Sequence, residues 1–410
     1  MLFANPLARR GPYASALSPI MNIARGRESR QWLTTWSQLR SGSSPMWRLP
    51  HLAAQFSLGQ ISIKDESKRS SLGSFKVLGA PIALLRLILR QWPDKSWKPE
   101  DLFAGRHADA LQDFVTISAT DGNHGRALAA AAQSMGCRCV IVLHAQVSME
   151  RETAIAAFGA RIVRIAGNYD ASVHEAARLA QANGWWVVSD TSYEGYEEVP
   201  RDVMQGYGII ADEALEGEPQ GASCPFTHVV VQGGVGGLAA GVFSHFWERY
   251  GDHRPCFIVV EPEQADCLLQ SACSGRAGHT NGTVDSVMAG LACGEASPLA
   301  WLFLEPCVDF FMTVSDAQAE QAMQMLACGA AGDVPVLSGE SGAAGLAGIA
   351  ALTSDPAWAR QTGLDATSHV LLVSTEGATA PDLYQRLTGR SAAEVLASQR
   401  VWLQGHAGAS

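Results

Sequence analysis

The sequence predicts an α/β fold of two open, mostly parallel twisted sheets flanked by helices. Three observations carry that expectation. Four short apolar runs, at 114–118, 139–143, 161–165 and 185–189, follow one another at strand–helix spacing, and each but the last leads into a helical stretch. Further strand-length runs at 227–232, 256–260 and 370–374 fall in the second half, the first of them entering a glycine turn and a helix that reaches Tyr250. The chain is also long for a single core: 410 residues, 47% apolar and 17% charged with 40 glycines, fit a compact two-domain protein better than a fibrous or disordered one.

Taken from the N-terminus, residues 30–39 form a loosely amphipathic lead-in that ends at the turn Ser43, Ser44, Pro45. Residues 49–56 read as a short helix and 60–64 as a strand. A helix is expected over 75–91, with its apolar stripe at Leu78, Ile82, Leu85 and Ile88, followed by an irregular, proline-containing connector over 92–112. The helix expected over 170–182 has Val173, Ala177 and Ala180 on one stripe and Asn183-Gly184 as its stop signal. Residues 191–208 carry Tyr193, Tyr196, Tyr207 and many charges without periodicity, and read as a loop that lines or covers a site. The division that follows is a small domain over 90–195 and a large domain made of 1–89 and 196–410.

Composition narrows the partners. A formal charge of -10, with no basic cluster interleaved with aromatics, argues against nucleic acid and for small molecules. The apolar runs are far shorter than the roughly 20 residues a membrane span needs, so a soluble protein with no membrane partner is expected. Residues 1–27 contain no Asp or Glu and include Arg9, Arg10, Arg25 and Arg27, a faint likeness to an organelle transit peptide. A frayed basic terminus is the plainer reading, and without a signal-peptide core the expected location is the cytoplasm. The nine cysteines lack metal-ligand spacing, so no metal is expected and most should be reduced core residues. Whether Cys267 and Cys293 meet across a loop is left open.

Chemistry concentrates at strand-to-helix junctions. Lys76, in SLGSFKVLGA, is a lone lysine boxed in by small and apolar residues, where desolvation would lower its pKa toward a reactive free amine. The charged segment ISIKDESKRSS just before it marks an edge that reads as a pocket wall. In QGGVGGLAAG, Gly233, Gly234, Val235, Gly236 and Gly237 offer consecutive backbone N–H groups beside a helix start, a cradle for one phosphate. The glycine spacing fits neither a Walker loop nor a dinucleotide fingerprint. In SATDGNHGRALA, backbone N–H groups from Ala119 and Thr120 through His124 can hold a carboxylate, and Asn123 can donate to a phenolic oxygen. The His124 side chain reads as structural. Asp121 would repel such a carboxylate, so it points to a cationic substrate group or to proton transfer, unless it only caps the helix. Asp190 ends the run WWVVSD, where open α/β sheets bind ligands, and could equally form a turn. Ser374 or Thr375 ends a late strand and can hydrogen-bond a ring nitrogen.

These elements occur in one order: lysine, TDGNHG turn, glycine cradle, late hydroxyl. In that order the chain resembles the fold-type II, tryptophan-synthase-like family of pyridoxal phosphate enzymes. Within it, the wording is most similar to the diaminopropionate ammonia-lyases, through KDES at 64–67, SFKVLG at 74–79, ATDGNHGR at 119–126, SDTSYEGYEEVPRDVMQGY at 189–207, GLACGE at 290–295 and STEGAT at 374–379. The resemblance covers about residues 45–390. It implies a pyridoxal 5'-phosphate site in the cleft between the two domains, with Lys76 joined covalently to the cofactor and acting as base toward an L-amino acid. It implies that Asn123 meets the phenolic oxygen, residues 233–237 the phosphate, and Ser374 or Thr375 the pyridine nitrogen. Glu340 and Glu376 are close enough in sequence to put a carboxylate there instead, and both readings stay open. Asp121 would be the base for the D-enantiomer and Asp190 would bind a second ammonium. The implied reaction converts 2,3-diaminopropionate, D or L, to pyruvate and ammonia in a homodimer. A serine or threonine dehydratase-like sibling and a catalytically silent member are the alternatives. The chain departs from the family at Pro45-Met46-Trp47-Arg48-Leu49, at Arg69-Ser70-Ser71-Leu72 and at Ala380.

Overall fold

In the computed structural model of the chain, which describes residues 1–120, 122–219 and 221–406, eleven strands among the described residues form two sheets. In chain order they are β1 Leu2–Ala4, β2 Met46–Arg48, β3 Gln60–Asp65, β4 Val115–Ala119, β5 Arg138–Leu143, β6 Arg161–Arg164, β7 Trp186–Val187, β8 His228–Gln232, β9 Cys256–Pro262, β10 Phe310–Val314 and β11 His369–Ser374. The seven-stranded sheet has the order β1-β10-β9-β8-β11-β3-β2, and the four-stranded sheet the order β6-β5-β4-β7. Only the two edge pairings, β1 with β10 and β2 with β3, are antiparallel. The small sheet is wholly parallel.

The central strands β8, β9 and β11 are buried on both faces and read as unbroken apolar runs, the pattern a helix-covered parallel sheet demands. One apolar cluster joins helices Ala80–Gln91, Asn123–Met135, Glu198–Ala214 and Gly237–Tyr250, and so runs continuously from one sheet to the other. A second fills the opposite face of the large sheet, under helices Asp316–Cys328 and Ala344–Ser354. A third lies between the small sheet and helix Tyr169–Asn183.

Three expectations about elements are corrected. The N-terminus is not frayed, because Leu2–Ala4 pair with β10 as an edge strand. The helix expected over 75–91 is a 3-10 turn, Phe75–Leu78, followed by helix Ala80–Gln91, since Gly79 and Pro81 interrupt the first turn. Residues 191–208 are not all loop, because Glu198–Ala214 is a helix with Pro200 tolerated in its first turn and almost every residue buried. In the charged segment before Lys76, Lys64, Glu66 and Arg69 form a buried ion network with Glu213. Lys64 Nζ lies 2.6 Å from Glu213, and Arg69 bridges Glu66 at 2.9 Å and Glu213 at 2.7 Å. Charges that deep persist because every one is paired.

Candidate active site

The turn that carries Lys76 is tied to the exit of β11. Phe75 N–H donates to Thr375 O at 2.9 Å, and Gly377 N–H donates to Gly73 O at 2.9 Å. The lysine side chain enters a cavity with about 820 Å³ of empty space open to solvent, bounded by residues at or just after the ends of strands in both sheets, such as Thr120, Gln232 and Thr375. Lys76, Asn123, His124, Asp190, Thr375 and the turn 234–238 all line it, as do Thr120, Tyr207 and Glu376.

Lys76 Nζ forms a close ion pair with Asp190 Oδ2. Burial alone would depress the lysine, but the facing carboxylate overrides it and holds the ammonium above the ordinary lysine value. This corrects the expectation of a lowered pKa, which counted desolvation and not the counter-charge. Asp190 is held below its usual range: burial opposes ionisation, and Lys76 and then His124 outweigh it. His124 Nδ1 lies 3.8 Å from Asp190, and its Nε2 pairs with Val188 O at 2.8 Å. Burial depresses its imidazole pKa, opposed by the Asp190 carboxylate.

The glycine cradle is shorter than expected. Gly233 N–H is spent on Val260 O at 2.8 Å, within the sheet, so Gly233 does not contribute a donor to the cavity. Gly234, Val235, Gly236 and Gly237 remain, at the start of helix Gly237–Tyr250, whose first N–H groups have no partner within the helix. A Cβ at Gly234 would stand 3.3 Å from Gly290 O, and one at Gly236, where φ is +101°, would stand 2.8 Å from Leu304. At Gly234 and Gly236 the close packing leaves no room for a side chain, so the backbone of these residues can approach a phosphate. A lysine amine, a phosphate cradle and hydroxyl and amide groups around one cavity fit pyridoxal phosphate.

On the opposite wall two further expectations change. Ser374 is fully buried and donates its hydroxyl to Ser338 Oγ at 2.8 Å, leaving Thr375 as the hydroxyl residue of that pair lining the cavity. Thr120 does not offer a free N–H group, and Ala119 is not among the residues that line the cavity. Ala119 lies within β4, and Thr120 N–H reaches Val142 O at 3.3 Å. The Thr120 hydroxyl also takes the N–H groups of Gly122 at 2.9 Å and Gly125 at 3.1 Å. The start of helix Asn123–Met135 is what remains to meet an anion. Asn123 donates to Glu376 in a close hydrogen bond, and Arg151 pairs with Glu340. Burial pushes the Glu340 carboxyl up to about 7, assisted by Glu376 and opposed by Arg151. Asp121 lies outside the described residues.

Arg151 and Tyr169 line the cavity without a signal in the sequence, whereas Ser341 lies in the glycine-rich stretch 338–348 and Tyr207 ends the 189–207 wording. Gly290, Leu291 and Cys293 had a signal in the GLACGE wording. Cys267 and Cys293 are not joined in a disulfide, and Cys267 Sγ lies 3.4 Å from Gly234 O. Among the described residues no group of His, Cys, Asp and Glu could hold a metal ion, and no helix is long and apolar enough to cross a membrane.

Comparison with known proteins adds an independent line. The sequence profile of the family described as pyridoxal-phosphate dependent enzyme matches residues 38–376. A diaminopropionate ammonia-lyase of Salmonella typhimurium is 38% identical over 359 residues, covering 85% of this chain and 89% of that one. A crystal structure of the Escherichia coli diaminopropionate ammonia-lyase, in complex with an aminoacrylate-PLP azomethine reaction intermediate, superposes with a TM-score of 0.83 at 34% identity, covering 95% of this chain and 96% of that one. The same enzyme in complex with D-serine gives a TM-score of 0.84, also at 34% identity and with 95% and 96% coverage.

Proposed function

The chain belongs to the family of pyridoxal-phosphate dependent enzymes, and from that premise we propose that it is a lyase converting 2,3-diaminopropionate to pyruvate and ammonia. The observation that carries the reading is the buried Asp190 carboxylate, which already seats an ammonium, that of Lys76, inside the cavity. A substrate with a second amino group supplies a replacement cation when Lys76 engages the cofactor. A hydroxyl substrate leaves Asp190 with an unmatched buried charge.

When bound, pyridoxal phosphate supplies an electron sink that acidifies the substrate Cα–H and eases departure of the β-amino group. This chain's residues bind and orient. Lys76 holds the cofactor and takes the Cα proton of an L-substrate. Asp121, on the strength of the resemblance, takes it from a D-substrate on the opposite face. The turn 234–237 and the helix behind it receive the phosphate, Asn123 donates to the phenolic oxygen, and the Thr375 hydroxyl serves the ring nitrogen. The start of helix Asn123–Met135 receives the substrate carboxylate. A homodimer and a cytoplasmic setting carry over from the resemblance.

The test is pyruvate release by the cofactor-loaded protein over a panel of D- and L-amino acids. Turnover of 2,3-diaminopropionate well above serine and threonine is expected. Equal or faster turnover of serine or threonine assigns the chain to the dehydratases instead, and no turnover with a colourless protein marks a silent member.

A further inference from the structure

We infer that Tyr207 is a further residue of this site, positioning Lys76: its hydroxyl accepts an N–H of the lysine once that side chain leaves Asp190. The inference rests on the function proposed above, in which Lys76 must exchange Asp190 for the cofactor.

The fold makes unusual room for this ring. A Cβ at Gly79 would lie 2.6 Å from it, and one at Gly241 would lie 2.9 Å from the Tyr207 Cβ. A Cβ at Gly206 would collide with Leu78 O, so that glycine lets helix Glu198–Ala214 press its backbone onto the lysine turn. Glycines on two segments, Gly79 and Gly241, thus clear a bed for one aromatic side chain. The ring packs on Phe75 with centroids 4.7 Å apart, and Lys76 Nζ stands 5.1 Å from the Phe75 centroid and 5.9 Å from that of Tyr207.

A phenylalanine would fill that bed equally well, so the hydroxyl needs its own explanation. Tyr207 is 1% exposed and lines the cavity, its hydroxyl oxygen makes no hydrogen bond within 3.5 Å among the described residues, and Lys76 is the side-chain donor that comes nearest to making one. A buried hydroxyl left without a partner is destabilising unless something arrives to meet it. The charged groups it faces are Lys76 and Asp190, and of the two only Lys76 moves in the proposed reaction. Burial keeps the phenol protonated; the ammonium of Lys76 favours its ionisation and Asp190 opposes it. The other titratable groups facing Lys76 among the described residues are His124 and Cys293. His124 is already bound to Val188 O.

The experiment compares Tyr207→Phe with wild type, both loaded with pyridoxal phosphate. Three quantities are read: the pH titration of the bound cofactor's visible absorbance, kcat and KM, and the urea midpoint of the cofactor-free protein. A hydroxyl oxygen that accepts from the lysine nitrogen favours its protonated form. The variant should therefore titrate lower by about half a pH unit to one unit, with kcat about tenfold lower and KM little changed. Without cofactor it should be at least as stable as wild type. A titration unmoved or moved upward overturns the inference, as does an unchanged kcat. So does a less stable cofactor-free variant, because the hydroxyl would then have a partner in the resting fold. A wild type that stays colourless with pyridoxal phosphate refutes the functional reading itself, whereas a coloured wild type with an indistinguishable variant refutes only the role of Tyr207.

Discussion

Replacing Asp190 by Asn isolates the ion pair at the centre of the cavity. In wild type, Lys76 is raised above its ordinary value, so its contribution to stability is complete below about pH 10.5 and is lost as pH rises through the folded value. Asp190 is lowered, so its contribution is present above about pH 3.8 and is lost as pH falls through the folded value. Between those limits the pair is intact. The Asp190→Asn substitution would leave Lys76 two options. It can stay charged without a partner, at a cost of about 3–5 kcal/mol, or it can lose its proton, at about 1.4 kcal/mol for each pH unit below its ordinary value. The second route caps the loss at about 5 kcal/mol at pH 7 and about 2 kcal/mol at pH 9. Urea unfolding of cofactor-free wild type and Asp190→Asn at both pH values measures this directly. A loss under about 1 kcal/mol at pH 7, or one equal at pH 7 and pH 9, would refute the assignment of Lys76 as a charged, buried partner of Asp190.

Other perturbations test the surrounding wall. Gly236→Ala places a Cβ 2.8 Å from Leu304 at φ +101°; cofactor titration should show affinity weakened by about tenfold or more, with native binding refuting the cradle. The Glu340 carboxyl, raised to about 7 by burial, favours the folded state at low pH and loses that contribution as pH rises from its ordinary 4.5 through 7. Glu340→Gln should therefore flatten the fall in urea midpoint between pH 5 and pH 8, and an unchanged profile counts against the shift. Asp121→Asn should cost on the order of 10²-fold in turnover of the D-isomer and less with the L-isomer, read as separate kcat values; equal losses would remove Asp121 from that role.

The sheets were legible because buried parallel strands must be apolar on both faces, and 139–143, 227–232 and 370–374 stand out for that reason. The ladder also includes what hydropathy hides. β1 and β2 are three residues each, too short to show a period, and enter the sheet only by pairing with β10 and β3. Helix Glu198–Ala214 read as loop because its charges look solvated, yet Asp202, Asp212 and Glu213 are buried and meet Arg86, Arg90, Arg27, Arg30 and Arg69 from distant segments. Long-range pairing of that kind has no local signature. The same holds at the site. Lys76 and Asp190 were each visible, but the sign of the lysine's shift depends on their contact, which spacing does not encode. Gly233 and Ser374 carried the right residue type, and the fold commits their polar groups elsewhere.

The tether between the lysine turn and the end of β11 has a consequence for how the protein comes into being. Phe75 and Gly73 find their backbone partners at Thr375 and Gly377, near the far end of the chain, so a nascent polypeptide exposes its reactive lysine long before the pieces that brace it exist. Such remote closure is slow relative to local helix formation. Competence to capture a vitamin-derived aldehyde should therefore appear late, with docking of the last strand. Synthesis halted before that strand would leave a partly assembled protein with its lysine turn unanchored.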